Sequence, residues 1–217
     1  MTKSNHGDRL QSIIADVPSP IDLRHREDAR QWAESAMSKR PWRTEFFAAF
    51  AAAISSSSTA RACRVLELGS GPGFLAEHLL KALPDISYVA LDFSPAMHQL
   101  AAERLGPLSS RVQFVERSFG EPAWPASLGQ FEFVVTNQAV HELRHKCHAE
   151  GLHSQVKQVL LPGGSYLVCD HFIREGGMSN DQLYMSVAEQ REALMRGGFA
   201  RVDQLLLMGG LVLHHAT

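Results

Sequence analysis

Cysteine is scarce in this chain. Cys63, Cys147 and Cys169 are odd in number and widely spaced among 217 residues, and no two form a C-x-x-C pair. That gives no support to a disulfide framework or to a zinc site built on paired cysteines, and it fits a reducing cytoplasm. Charge of one sign is not in excess either. With 21 basic and 23 acidic residues the formal charge is −2, so the composition offers no electrostatic case for a nucleic-acid partner. No apolar run approaches the length of a membrane span. The first twenty residues carry Asp8, Arg9 and Asp16 in place of a signal-peptide core. What the chain does have is core-forming material. At 45% hydrophobic residues, it can bury one large domain, or a domain with a small appendage.

The organising stretch is Val65-Leu66-Glu67-Leu68-Gly69-Ser70-Gly71-Pro72-Gly73. A short apolar run breaks into glycines at alternate positions, and a helical pattern follows over residues 74–83. Strand, glycine loop and helix in that order build a nucleotide site, because glycines let the backbone turn sharply and approach a ligand. A dinucleotide fingerprint, G-x-G-x-x-G, would need its third glycine at position 74, where Phe74 stands.

Around this loop the chain alternates as βαβ units do. Strands are predicted over residues 64–68, 87–91, 111–116, 131–136, 165–169, 202–208 and 211–215. Gly209-Gly210 serves as a hairpin turn between the last two. Helices are predicted over residues 74–83, from Pro95 onward behind an Ser94 cap, around Leu152, Val156, Val159 and Leu160, and over residues 181–196 with Leu183, Val187 and Leu194 on one side. Residues 120–130, with two prolines and Trp124, read as loop. Before the loop lies a separate region. Residues 1–25, broken by Pro18 and Pro20, are expected to be loose. A helix then sets Trp32, Ala33, Ala36 and Met37 on one face. A second helix, opened by Pro41, carries the stripe Phe46, Phe47, Phe50 and Ile54. The serine run at residues 55–58 links this region to the sheet. Its aromatics either pack against the sheet or form a lid over a substrate.

The pattern E-x-G-x-G-x-G, from Glu67 to Gly73, resembles motif I of the class I S-adenosylmethionine-dependent methyltransferases. Asp92 closes the second predicted strand 23 residues after Gly69, where a carboxylate can accept from ribose hydroxyls. Leu160-Leu161-Pro162-Gly163-Gly164 and Gly198-Phe199 are similar to two late turns of that family. The resemblance spans residues 42–215. It implies an α/β, Rossmann-like, seven-stranded, mostly parallel sheet of order 3-2-1-4-5-7-6, with helices on both faces. The helical patterns and the serine linker before the sheet divide the chain into an N-terminal helical lid or extension at residues 1–58 and a cofactor-binding domain at residues 59–217.

The implied cofactor is S-adenosyl-L-methionine, held by Glu67, Gly69, Ser70, Gly71, Gly73 and Asp92, with Phe93 against the adenine. Where the family often has an acid after strand three, this chain has Ser118, so a hydroxyl or the Phe119 backbone is expected to replace that contact. Asn137 borders the methionine moiety. Trp42 and Arg43 are expected to close over the cofactor, Arg43 pairing its carboxylate. The implied function is methylation of a small-molecule acceptor at oxygen, nitrogen or carbon. A binding protein that keeps the pocket without transferring methyl is the alternative.

His141, at the mouth of strand four, is a candidate base with the right titration range. Asp170 and His171 form a second candidate pair. One string competes with this reading. His141-Glu142-Leu143-Arg144-His145 spells H-E-x-x-H, which binds zinc when both histidines share one helical turn. Here His141 follows a strand directly, and no third ligand stands at a family spacing, so no metal is expected.

Overall fold

The computed structural model describes residues 15–57 and 62–217. Residues 1–14, the larger part of the segment expected to be loose, and residues 58–61, the end of the serine linker, lie outside the described residues.

The central strand β1 (Arg64–Leu68) pairs in parallel with β2 (Ser87–Asp92) and β4 (Phe131–Asn137). Then β3 (Val112–Glu116) joins β2, and β5 (Leu160–His171) joins β4. Both β6 (Val202–Met208) and β7 (Leu211–Ala216) are added in antiparallel fashion, β7 lying between β5 and β6. The result is one seven-stranded sheet of order 3-2-1-4-5-7-6, as expected. Its topological switch lies between β1 and β2 on one side and β4 on the other, so the carboxyl ends of these strands frame the crevice where such sheets bind ligands.

Residue alternation along the strands divides the core into two layers. On one face Leu66, Leu68, Val89, Leu91, Val134 and Tyr166 pack with α5 (Ala149–Val159) and α6 (Val187–Arg196). On the other, Val65, Tyr88, Ala90, Phe133 and Val135 pack with α2 (Arg43–Ser55) and α3 (Phe74–Ala82). Helix α4 (Pro95–Leu105) begins behind Ser94, whose Oγ accepts from Met97 N at 3.1 Å. Phe46, Phe50 and Ile54 are fully buried in the second layer, so most of the aromatic stripe is core. Helix α1 (Arg26–Lys39) rests on α4 through Ala29, Ala96 and Met97. Among the described residues no helix is long and apolar enough to cross a membrane.

Three sequence expectations are corrected. The last helix does not begin at residue 181. It starts at Val187, because Ser186 Oγ accepts from Glu189 N (3.2 Å) while Glu189 Oε2 accepts from Ser186 N (2.7 Å), a reciprocal cap that sets the first turn. Strand five begins at Leu160, with the Pro162-Gly163-Gly164 turn carried inside it as an irregularity between its pairings to Phe131 and Phe133. Residues 15–25, expected to be loose, run as a strap. Val17 N donates to Arg144 O (2.8 Å), Arg144 donates to the carbonyls of Val17 (2.9 Å) and Pro18 (2.8 Å), and Ser94 Oγ donates to Leu23 O (2.5 Å).

Candidate active site

The glycine loop joins β1 to α3 with Gly69, Gly71 and Gly73 all at positive φ (67°, 51° and 79°), a region that side chains strain to adopt. Each glycine has its own reason. A Cβ at Gly69 would meet the Cβ of Ala139 at 2.5 Å, and one at Gly73 would press on Ala101 of α4 at 3.1 Å. At Gly71 nothing stands within 4 Å, because the loop there faces open space. Gly71 N donates to Asp92 Oδ2 (2.8 Å) and Ser94 N to Asp92 Oδ1 (2.9 Å), which fixes the carboxylate beside the loop. Burial raises the Asp92 pKa, opposed by these backbone donors.

The open space is a cavity of about 200 Å³ at the carboxyl ends of β1, β2 and β4. Glu67, Gly69, Ser70, Gly71, Asp92, Phe93, Phe119, Asn137, Arg43, His141 and His171 all line it. Gly73 does not, since it packs under α4 as the N-cap of α3. Ser118 lines a neighbouring groove, its Oγ accepting from Gly120 N at 3.2 Å. Trp42 is also outside the cavity. It packs so closely on the β6–β7 turn that a Cβ at Gly209 would fall 2.3 Å from its ring.

Four buried polar atoms of the cavity walls have no hydrogen-bond partner: Ser70 Oγ, Asn137 Oδ1, Gln138 Nε2 and Arg43 Nε. Others lie outside the cavity, at Trp42, His98, His153, Tyr166 and His214, but these four face a space in which a polar ligand would complete their bonding. Arg43 is 3% exposed, donates to Gln138 Oε1 at 2.9 Å, and lies 5.6 Å from the Trp32 ring. Burial, and then the neighbouring Arg40, lower its pKa to about 10, so it stays charged at neutral pH. Glu67 accepts from Tyr88 OH at 2.9 Å. Its burial pushes its pKa up to about 8.

At the other end of the cavity Asp170, on β5, holds the turn after β4. Its Oδ2 accepts from His141 N (2.8 Å), and its Oδ1 accepts from His141 Nδ1 (2.7 Å) and from His171 N (2.7 Å). A carboxylate only accepts, so Nδ1 carries the proton, and Nε2 is left toward the cavity, 3.3 Å from Glu142 Oε1. Burial opposes charge on His141, but Asp170 and Glu142 outweigh it and raise the pKa to about 10. His171 lies 5.5 Å away, ring to ring. Burial, only partly offset by Asp170, lowers its pKa to about 3, with His141, Arg40 and Arg43 adding to the effect.

The H-E-x-x-H string does not form one helix. Residues Val140–Leu143 make a 3-10 turn, Arg144 takes a left-handed conformation (φ 66°), and His145 is extended (φ −156°). The two histidines therefore do not share a helical face.

Residues 65–164 match a family model described as a methyltransferase domain. Over this stretch, just under half of its length, the chain is similar to the class I methyltransferases. Over 103 residues it is 32% identical to a malonyl-[acyl-carrier protein] O-methyltransferase of Paenibacillus sp. (strain JDR-2), covering 47% of this chain and 36% of that protein. The chain thus spans little more than a third of that relative's length. Its fold is shared with an O-methyltransferase family protein from Burkholderia thailandensis (TM-score 0.69, 18% identity, 88% of this chain and 60% of the other). It is shared too with human N-acetylserotonin methyltransferase, solved with S-adenosylmethionine (TM-score 0.67, 14% identity, 89% and 56%). S-adenosylmethionine is the methyl donor of this class.

Several residues of the cavity were not anticipated: Ile21 and Leu23 of the strap, Trp32, Arg40 and Tyr184. Gln138 sits at φ 58°, directly after β4. For Tyr184 a signal existed, since Ser186-Val187-Ala188-Glu189 is a capping-box string that ends the helix before reaching position 184.

Proposed function

We propose that this protein transfers a methyl group from S-adenosylmethionine to a small-molecule acceptor. The observation that carries this reading is the set of four buried, unpartnered polar atoms on the walls of the cavity that also presents Asp92 and His141. Bound there, the cofactor supplies an electrophilic methyl on a sulfonium, and the protein's task is alignment.

The chain's own groups fit that ligand. Asp92 accepts from ribose hydroxyls, Phe93 and Phe119 flank the base, and the loop at Gly69, Ser70 and Gly71 admits close approach. Arg43 pairs with the carboxylate, while Asn137 Oδ1 is a free acceptor for the ammonium. Ser118 has no part in this assignment, and Gly73 serves by shaping the loop. The described part of the N-terminal region, residues 15–57, acts as an extension over the sheet domain, contributing Leu23, Trp32, Arg40, Arg43 and Phe47 to the cavity wall.

The acceptor side is formed by His141 and His171, with Asp170 behind His141 as a positioning residue. An imidazole there takes the acceptor's proton as the new bond forms. The paired Asp170 makes His141 the stronger candidate base once its proton is removed, and a cation in the cavity favours that removal. Among the relatives, two are named for O-methylation of a malonyl group on an acyl-carrier protein. That name supports an oxygen acceptor, with nitrogen and carbon left to the test.

Calorimetry with S-adenosylmethionine and with NAD tests the cofactor. Binding of the first and not the second is expected, and a preference for NAD would sink the reading. Transfer of labelled methyl to a metabolite pool tests catalysis. Tight cofactor binding with no transfer to any fraction would favour a binding protein.

A further inference from the structure

A second depression adjoins the cavity at its His171 end. It is a trough of about 230 Å³, and Arg40, His171 and Met178 line both it and the cavity. Its charged walls are Lys39, Arg40 and Arg174, and no acidic side chain lines it. None of the three has an ion-pair partner among the described residues. Other cations have partners of two kinds: Arg30, Lys81 and Lys146 pair with carboxylates, while Arg64, Arg111 and Arg117 donate to backbone carbonyls.

The trough is also built to hold its longest arm. Arg174 lies across two glycines. A Cβ at Gly177 would come within 2.7 Å of its Cγ, and one at Gly210 within 3.0 Å of its Nε. Arg40 is half-buried at the junction. Arg43 lines the cavity and not the trough, so Arg40 remains available for a second anion beyond the cofactor's carboxylate.

We propose that this trough binds an oxyanion, a phosphate or a carboxylate, carried by the methyl acceptor at a position remote from the atom that is methylated. The proposal rests on the methyl-transfer reading of the cavity. Lys39 and Arg174 are exposed and Arg40 is half-buried, and an oxyanion among them would accept charge-assisted hydrogen bonds from the guanidinium forks. The shared lining then points the acceptor's reactive end toward His171 and His141.

The test uses the full chain saturated with S-adenosylhomocysteine, so that the cofactor's own anion site is filled. Inorganic phosphate and, separately, acetate are titrated at ionic strength held constant with sodium chloride, following melting temperature and calorimetric heat. Saturable binding of at least one is expected. It should weaken about 10-fold or more in the pair Arg40→Gln and Arg174→Gln, the scale of lost charged hydrogen bonds. In Arg174→Gln alone, S-adenosylhomocysteine affinity should be unchanged. A preference for phosphate assigns a phosphate ester, and a preference for acetate a carboxylate. No saturable response, or one equal in the double variant, overturns the trough while cofactor binding still supports the cavity. Failure to bind S-adenosylhomocysteine removes both readings together.

Discussion

His141 and His171 stand ring to ring, yet at neutral pH the first is a cation with both ring nitrogens protonated and the second is neutral. The difference lies in Asp170, which accepts from the His141 ring but only from the backbone of His171. If the neutral form of His141 is the base, kcat/KM should rise with pH toward about 10 in the cofactor-free enzyme's profile. His141→Ala should slow turnover about 10²–10⁴-fold, abolish that rise and leave cofactor affinity intact. A fully active variant would make the histidine structural. Asp170→Asn removes the charge that holds the proton, so the rising limb should move to lower pH. A profile that stays in place would remove Asp170 from its positioning role. At the opposite end, Asp92→Ala should cost about 1.5–3 kcal/mol of cofactor affinity by calorimetry, the scale of hydrogen bonds to a charged group. Unchanged affinity would take Asp92 out of the site.

Two elements carry further consequences. The strap crosses the mouth of the cavity, placing Ile21 and Leu23 on its wall, and Arg144 is its principal tie. Arg144→Ala is expected to raise amide exchange in residues 17–24 and to speed both cofactor entry and release in stopped-flow traces. Identical rates would show that the strap does not gate the cavity. In α6 the reciprocal cap at Ser186 and Glu189 sets where the helix starts and so leaves Tyr184 free to face the cavity. Ser186→Ala should lower stability by about 1 kcal/mol and the melting temperature by about 2–4 °C for a chain of this size.

At the scale of the whole molecule, buried histidines make the fold sensitive to acid. Burial lowers the pKa of His153 to about 3, with the nearby His214 adding to it, and lowers that of His214 to about 4, with Arg191 adding to it; His171 lies at about 3. All three stay neutral in the folded state while the unfolded chain protonates them below its ordinary value near 6.5. The unfolded state then binds more protons, so stability falls as pH drops from about 6.5 toward 4, by up to about 1.4 kcal/mol per pH unit for each. His141 acts in the opposite sense. Its raised pKa contributes stability that is present in full below about 6.5 and is lost as pH rises through about 10. Chemical denaturation across pH 4–7 should show the acid slope, and His214→Gln should flatten it. An equal slope in that variant would exclude His214 as a source.

The two-sided sheet, its strand order, the glycine loop and Asp92 were legible in the sequence, because each is written in local pattern: alternation along strands, glycines where φ is positive, an acid at a strand end. The boundaries of α6 and β5 were misplaced where a cap and an irregular turn overrode the hydrophobic period. The family resemblance places Ser118 at the cofactor and its neighbour Arg43 places Trp42 there, but Ser118 lines a neighbouring groove and Trp42 the trough beside the β6–β7 turn. Only the tertiary structure brought Arg43 to Gln138 across 95 residues, the strap to Arg144 across 127, and Asp170 to His141 across 29. The sequence alone therefore determined the sheet and the glycine loop, whose contacts are local or set by strand alternation. The His141 end of the cavity and the unpaired cations beside it were decided by the tertiary structure, since side chains from separate elements meet there and no local period records which ones will meet.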